Sequence, residues 1–172
     1  MAEAFLRQRL SQRGVDAHVH SAGLRFNDEP ASAEGVEVLA ERGIDLSGHR
    51  SRVMNAALVS NADLVITMAK EHLLEAVLAA PDAWPRTFAL KEFIRRAEKA
   101  GRRAPGETFE GWLARVNAGR ERGDLLALSS DDDVADPIGL DRTAYEQTAD
   151  EISGLIDRVA DLGWPRAAEQ VG

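Results

Sequence analysis

The sequence predicts an α/β fold, a three-layer arrangement in which a parallel sheet carries helices on both faces. Segments whose apolar residues recur at helical spacing alternate along the chain with short β-branched runs, which is the pattern of a parallel sheet. The length of 172 residues suits one ordinary domain. Residues 63–68 form the clearest strand, because their apolar run is typical of strands buried on both faces. We therefore expect one domain over residues 1–172.

The predicted elements are bounded by recognisable start and stop signals. Ser32 is a helix cap, while Gly14, Gly43 and Pro81 end the helices that precede them. The predicted helices cover residues 2–13, 32–42, 70–80 and 141–162, and the predicted strands cover 16–20, 63–68 and 86–90.

Composition and charge narrow the function classes. The formal net charge of −8 and the pI near 5.0 argue against nucleic acid as the main partner, which needs clustered positive charge. No apolar run approaches the roughly 18–20 residues that cross a bilayer, and no signal peptide is recognisable, so we expect a cytoplasmic protein with no membrane partner. The absence of cysteine excludes disulfides, thiolate metal sites and a cysteine nucleophile in this chain.

Two further groups of polar residues have competing interpretations. His18 and His20 flank Val19, but without a third ligand nearby they indicate a polar strand face rather than a metal site, and we expect no metal or cofactor. Basic residues concentrate in two groups in the least regular stretch, 92–130, which also contains a helix-like apolar stripe. They indicate either a solvated helical face or a surface for phosphorylated or acidic partners. The first group is Arg95, Arg96, Lys99, Arg102 and Arg103, the second is Arg115, Arg120 and Arg122, and the stripe is Phe109, Trp112, Leu113 and Val116.

Several motifs together resemble the low-molecular-weight protein tyrosine phosphatase family. They are the opening helix Met-Ala-Glu-Ala-Phe-Leu, Ser21-Ala22-Gly23, the run from Gly43 to Arg50, and Ala-Asp-Pro-Ile-Gly at 135–139. The resemblance implies the α/β fold predicted above and phosphomonoester hydrolysis. It also implies that 92–130 is a helical insert, since this stretch is longer than its counterpart in the family.

The resemblance identifies Asp136 as the general acid. A phenolate leaves badly because its conjugate acid has a pKa of about 10, so a nearby carboxylic acid must donate a proton as the P–O bond breaks. Pro137 restricts the backbone of Asp136 to extended conformations and helps to hold the carboxyl over a site. Ile138 stands where the family commonly has an aromatic pocket residue, which weakens the expectation of phosphotyrosine as substrate.

Three more residues take their expected roles from the resemblance alone. Ser21 and His49 match a serine and a histidine that brace the phosphate loop in the family, and Phe26 matches an aromatic wall of the substrate pocket. The expected partner is a phosphorylated protein or a small phosphate ester. We expect the Asp136 carboxyl to point toward the start of helix 2–13.

The family's phosphate loop, of pattern Cys-x5-Arg-Ser-Pro, would directly precede Met1. The resemblance thus implies that the first, central strand and the nucleophile are missing from these 172 residues, and we expect a longer genuine protein that carries them upstream. Phosphotyrosine, phosphoarginine and a small phosphate ester remain open as substrates. An arsenate reductase of the same fold and a non-catalytic phosphate- or partner-binding protein remain open as alternatives.

Overall fold

The computed structural model describes residues 1–127 and 130–166 and confirms the α/β class. Its two strands, β1 (Val65–Thr67) and β2 (Thr87–Ala89), are parallel and pair Val65 with Thr87. Two 3₁₀ helices lie at Pro81–Arg86 and Ser130–Asp132. The α-helices are α1 (Ala2–Gln12), α2 (Ala33–Ala40), α3 (Ala56–Ser60), α4 (Lys70–Ala79), α5 (Leu90–Ala100), α6 (Phe109–Asn117), α7 (Asp124–Ala127) and α8 (Arg142–Gly163).

The predicted strand at 16–20 is wrong. This segment forms no ladder with any described part of the chain, and the Val19 carbonyl instead accepts a hydrogen bond of 2.9 Å from Arg7 Nη2. A strand needs a neighbouring backbone to satisfy its N–H and C=O groups, so alternation of side chains alone does not create one. The expectation that a central strand is missing stays a prediction.

The chain folds as two compact units. The first comprises residues 1–53 and 134–160 and contains α1, α2 and most of α8. Arg9 of α1 donates to Ser153 Oγ at 3.2 Å and pairs with Asp157, so α1 and α8 are fastened together. Arg42 pairs with Asp150 at 2.6 Å in the same way. The buried side chains of this unit include Phe5, Leu10, Val38, Leu39, Tyr145, Ile152, Ile156 and Val159.

The second unit comprises residues 54–133 and the described residues from Asp161 onward. Helices α4 and α5 both pack against the two strands. Trp112 of α6 is fully buried, meets Phe93 edge to face and donates from Nε1 to the Gly101 carbonyl at 2.9 Å. The helical stripe predicted for 109–116 is therefore confirmed as the packing face of α6.

Arg120, unlike Arg115 and Arg122 of the same basic group, is not a surface residue. Its side chain is fully buried and donates from Nε and Nη2 to both carboxylate oxygens of Glu92, at 2.7 and 3.1 Å. The guanidinium also lies over the Trp84 ring, 3.4 Å from the ring centroid, and donates to the Trp84 carbonyl at 2.9 Å. A planar guanidinium can stack on a ring and bind a carboxylate at once, which is why this cation is tolerated in the core.

Other arginines of the stretch 92–130 are also occupied within the second unit. Arg115 bonds both Glu107 oxygens, and Arg122 donates to the Pro81 carbonyl at 3.0 Å. Arg96 donates to the Val116 carbonyl at 3.0 Å. These side chains close helix ends and turns. The choice between a solvated helical face and a surface for phosphorylated or acidic partners stays a prediction.

The sequence analysis also makes predictions about domain organisation and about the membrane. The single phosphatase-like domain over residues 1–172 stays a prediction. Within 1–127 and 130–166, none of the helices has the length and apolar character that crossing a membrane requires.

Candidate functional site

The carboxylate of Glu3 joins two of the residues predicted for the site. Ser21 Oγ donates to Glu3 Oε2 at 2.5 Å, and His49 Nδ1 lies 4.0 Å from the same oxygen. Arg7, one turn further along α1, pairs with the other Glu3 oxygen. The structure therefore brings Ser21 and His49 together at the first turn of α1, through a residue that the sequence analysis did not select.

Local structure explains why these three side chains meet. An acidic residue in the first turn of a helix is favoured by the helix dipole, and Glu3 occupies that turn. Ser21 precedes a backbone bridge in which Gly23 N–H donates to the Arg52 carbonyl at 2.9 Å. His49 ends a turn that is closed by a hydrogen bond of 3.0 Å from the His49 N–H to the Leu46 carbonyl. Two connecting segments are thereby held against one helix end.

The pKa of the Glu3 carboxyl reflects these contacts. Burial by itself would raise the pKa, but the hydrogen bond from Ser21 and the positive charges of Arg7 and His49 together hold it below its ordinary value. Glu3 is therefore a fixed negative charge at neutral pH.

The start of α1 is a partly dehydrated helix end. Burial lowers the pKa of the Met1 amino group, although the charge of Glu3 opposes this shift. The side chain of Met1 provides no hydrogen bond to cap the helix. Helix amino ends carry unsatisfied N–H groups and partial positive charge, which favour an anion.

Asp136 lies in a short, exposed turn before α8. Its Oδ1 accepts a hydrogen bond of 3.0 Å from the Ile138 N–H, and the Leu140 N–H donates to the Pro137 carbonyl at 3.0 Å. Gly139 has a φ of 81°, the left-handed region that such a turn requires of its third residue. The carboxyl keeps a second oxygen for other contacts. Its approach to the start of α1 stays a prediction.

Asp136 is not the cap of the final helix. That role belongs to Asp141, whose Oδ1 accepts from the Ala144 N–H at 3.0 Å. A structural role as helix cap therefore does not account for Asp136.

Phe26 and Ile138, the predicted substrate contacts, are both exposed. Phe26 is 62% exposed and Ile138 is 71% exposed, whereas most apolar side chains of this size are buried in this protein. Single exposed apolar side chains are common on protein surfaces, so exposure by itself does not mark a ligand site. Their participation in one pocket stays a prediction.

The substitution Glu3→Gln is expected to lower the free energy of unfolding by about 1–3 kcal/mol at neutral pH, since Ser21 and Arg7 lose their charged partner. The pKa of Glu3 is lower in the folded protein than in the unfolded chain. The Glu3 carboxylate therefore contributes fully to the free energy of unfolding when the pH is above the unfolded pKa, and this contribution is lost as the pH falls through the folded pKa. Urea denaturation of the wild-type protein and of Glu3→Gln at several pH values measures the difference in the free energy of unfolding. The difference between them should be largest near pH 7 and should shrink in acid.

Glu34→Gln is the matched control, because Glu34 is an exposed acid in the first turn of α2. If Glu34→Gln destabilises the protein as much as Glu3→Gln does, the loss in Glu3→Gln comes from the helix dipole alone. A difference between wild type and Glu3→Gln that does not depend on pH would contradict the role of the Glu3 charge.

No described part of the chain contains a group of three or more His, Cys, Asp or Glu residues that could hold a metal ion. His18 and His20 approach each other, with ring centroids 5.8 Å apart, but they remain a pair.

Comparison with known proteins identifies the family. The family model "Low molecular weight phosphotyrosine protein phosphatase" matches residues 1–107. The chain is 32% identical over 99 residues to the low molecular weight protein-tyrosine-phosphatase Etp of Escherichia coli K12, covering 57% of this chain and 64% of that protein. It is 27% identical over 163 residues to the protein-arginine-phosphatase of Bacillus subtilis, covering 93% of this chain and 85% of that protein.

A solved structure agrees over most of the chain. The crystal structure of the low molecular weight protein tyrosine phosphatase from T. tengcongensis is 31% identical and has a TM-score of 0.68, covering 93% of this chain and 87% of that one. With a family model that matches more than half of its residues, the chain belongs to the low molecular weight phosphotyrosine protein phosphatase family.

Proposed function

We propose that this chain supplies the general acid of a phosphomonoester hydrolase, and that the 172 residues by themselves are inactive by the thiolate route because they contain no cysteine. The observation that carries this proposal is the joint contact of Ser21 and His49 with Glu3 at the uncapped start of α1. These are the residues expected to brace a phosphate loop. The chain has no cysteine to act as nucleophile.

The proposed chemistry divides between the two segments. A thiolate supplied by a phosphate loop ahead of Met1 would attack phosphorus while the P–O bond to the leaving group breaks. The proton of Asp136 would pass to the departing oxygen, and water would then hydrolyse the phosphoenzyme with the same carboxylate as base. The start of α1 would stabilise the phosphoryl oxygens with its N–H groups, as helix amino ends do for anions.

The substrate is proposed as a phosphorylated protein side chain. The similarity to tyrosine phosphatases and to an arginine phosphatase supports this class. Phe26 and Ile138 offer apolar surface of the kind that an aromatic or aliphatic stem can contact. Ile138 presents no ring for stacking, so a preference for phosphotyrosine rests on Phe26 alone.

A non-catalytic protein is the second candidate, and the lack of cysteine favours it. In that case the chain would bind an anion or a phosphorylated partner without turnover. The two candidates differ in the activity expected when a Cys-x5-Arg-Ser-Pro loop is added ahead of Met1. Turnover appears only if the remaining residues are competent for chemistry.

The test compares two proteins in an aryl phosphate assay. The 172-residue chain should give no turnover above a buffer blank. The same chain with a strand and a Cys-x5-Arg-Ser-Pro loop ahead of Met1 should turn over aryl phosphate, and a Cys→Ser change in the added loop is the control. Phosphoarginine and phosphotyrosine peptides then rank the substrates.

Turnover by the 172-residue chain itself would refute its proposed inactivity. No turnover by the extended protein, in a sample with native circular dichroism and cooperative unfolding, would favour the non-catalytic candidate.

A further inference from the structure

Residues 132 and 133 belong to the second unit and are held there by α4 and α5, immediately before the Asp136 loop. Asp133 Oδ1 accepts a hydrogen bond of 2.7 Å from the Lys70 N–H at the start of α4, and its carbonyl accepts one of 2.8 Å from Lys91 Nζ. Asp132 binds both terminal nitrogens of Arg95, with Nη2 and Oδ2 2.8 Å apart. Main chain and side chains of this segment are thus held by α4 and α5.

Asp133 serves as a helix cap supplied from far along the chain. The residue before α4, Ala69, has no side chain that could cap the helix. A carboxylate at a helix amino end combines a charge-assisted hydrogen bond with a favourable interaction with the helix dipole. The contact is therefore stronger than a bond between neutral groups.

Chain connectivity carries this anchoring to Asp136. Two residues lie between Asp133 and Asp136, so their Cα atoms are at most about 11 Å apart. Val134, directly after the anchor, is buried, and the turn from Asp136 to Leu140 is closed by its own hydrogen bonds. The Asp136 loop thus begins three positions after a held residue and is itself closed as an ordered turn.

We propose that Asp133 is a positioning residue for Asp136: its hydrogen bond to the start of α4 fixes the point from which the general-acid loop begins. The proposal rests on the proposed function of Asp136. A general acid acts only within about 3 Å of the oxygen that it protonates, and a misplacement of about 1 Å can cost roughly 10²-fold in rate. A loose anchor would thus reduce the rate without touching the substrate.

The first test measures hydrogen–deuterium exchange in the 172-residue chain. Asp133→Ala should speed exchange at Lys70 and over residues 134–140. Asp133→Asn should preserve most protection, since the amide oxygen still accepts the bond. Thr108→Ala is the matched control, because Thr108 caps α6 in the same unit through a bond to Gly111 N–H. Unchanged exchange over 134–140 in Asp133→Ala would overturn the proposal.

The second test uses the protein extended by the phosphate loop. Asp133→Ala should lower kcat on aryl phosphates by about 10- to 100-fold with little change in KM, and should make kcat more sensitive to the pKa of the leaving group. The same change should have no further effect when Asp136 is already asparagine. Asp133→Asn should keep most of the rate.

The two proposals fail in different ways. Suppose that Asp136→Asn slows the enzyme but Asp133→Ala does not. Or suppose that Asp133→Ala slows the extended protein by the same factor whether position 136 is aspartate or asparagine. In either case the positioning role is overturned and the proposed function stands. If Asp136→Asn leaves the rate unchanged, the proposed role of Asp136 fails, and the positioning role is overturned with it.

Discussion

In the protein extended by a phosphate loop, Asp136→Asn is expected to lower kcat on aryl phosphates by about 10²–10⁴-fold. An amide cannot donate the proton that a phenolate needs as it leaves, and general acid catalysis contributes about this much. The loss should shrink for substrates whose leaving group is already stable as an anion. Rates with a series of aryl phosphates that differ in phenol pKa measure the effect.

Asp141→Asn is the control for this change. Asp141 stands five residues further on and caps α8, a role that asparagine also fills. Its kcat should stay close to that of the unchanged protein. Equal losses for the two variants would indicate damage to the loop and the helix start rather than loss of an acid.

Glu92→Gln is expected to lower the free energy of unfolding by about 3–5 kcal/mol. The change leaves the guanidinium of Arg120 charged and buried without its carboxylate partner, which is the costly way to break a buried pair. Burial already lowers the pKa of Arg120, while Glu92 opposes that shift. Against a total stability of about 5–15 kcal/mol the loss is large. Urea denaturation, followed by the fluorescence of Trp84 and the other tryptophans, measures it.

Two variants check the cause. Glu146→Gln breaks the pair with Arg142, in which both side chains are more than 40% exposed, and should cost under about 1 kcal/mol. The double change Glu92→Leu with Arg120→Met removes both charges and should recover most of the loss. A double variant as unstable as Glu92→Gln would contradict the explanation by an unpaired charge.

The sequence predicted local elements better than the contacts between them. Helix 2–13 was expected and α1 covers Ala2–Gln12. The strands near 63–68 and 86–90 are β1 and β2. These elements follow from periodicity and from cap and stop residues, which act within a few positions of the chain. The strand at 16–20 was wrong because a strand depends on a partner that no local pattern specifies.

The arginines show the same limit at the level of side chains. The sequence places Arg115, Arg120 and Arg122 within a short stretch and suggests a charged face. In the structure Arg120 is instead a core residue, stacked on Trp84 and bound to Glu92. Charge spacing cannot distinguish these outcomes, because the partner of Arg120 lies 28 positions away in sequence.

The sequence by itself determined the α/β class, the family motifs and the lack of a cysteine nucleophile, since these depend on residue types and short spacings. Only the tertiary structure decided that Glu3 is the common partner of Ser21 and His49, and that Asp133 caps α4 from a distance of 63 residues. Both contacts join segments that are remote along the chain. Packing alone brings such segments together, so their side chains acquire partners and roles that no linear pattern records.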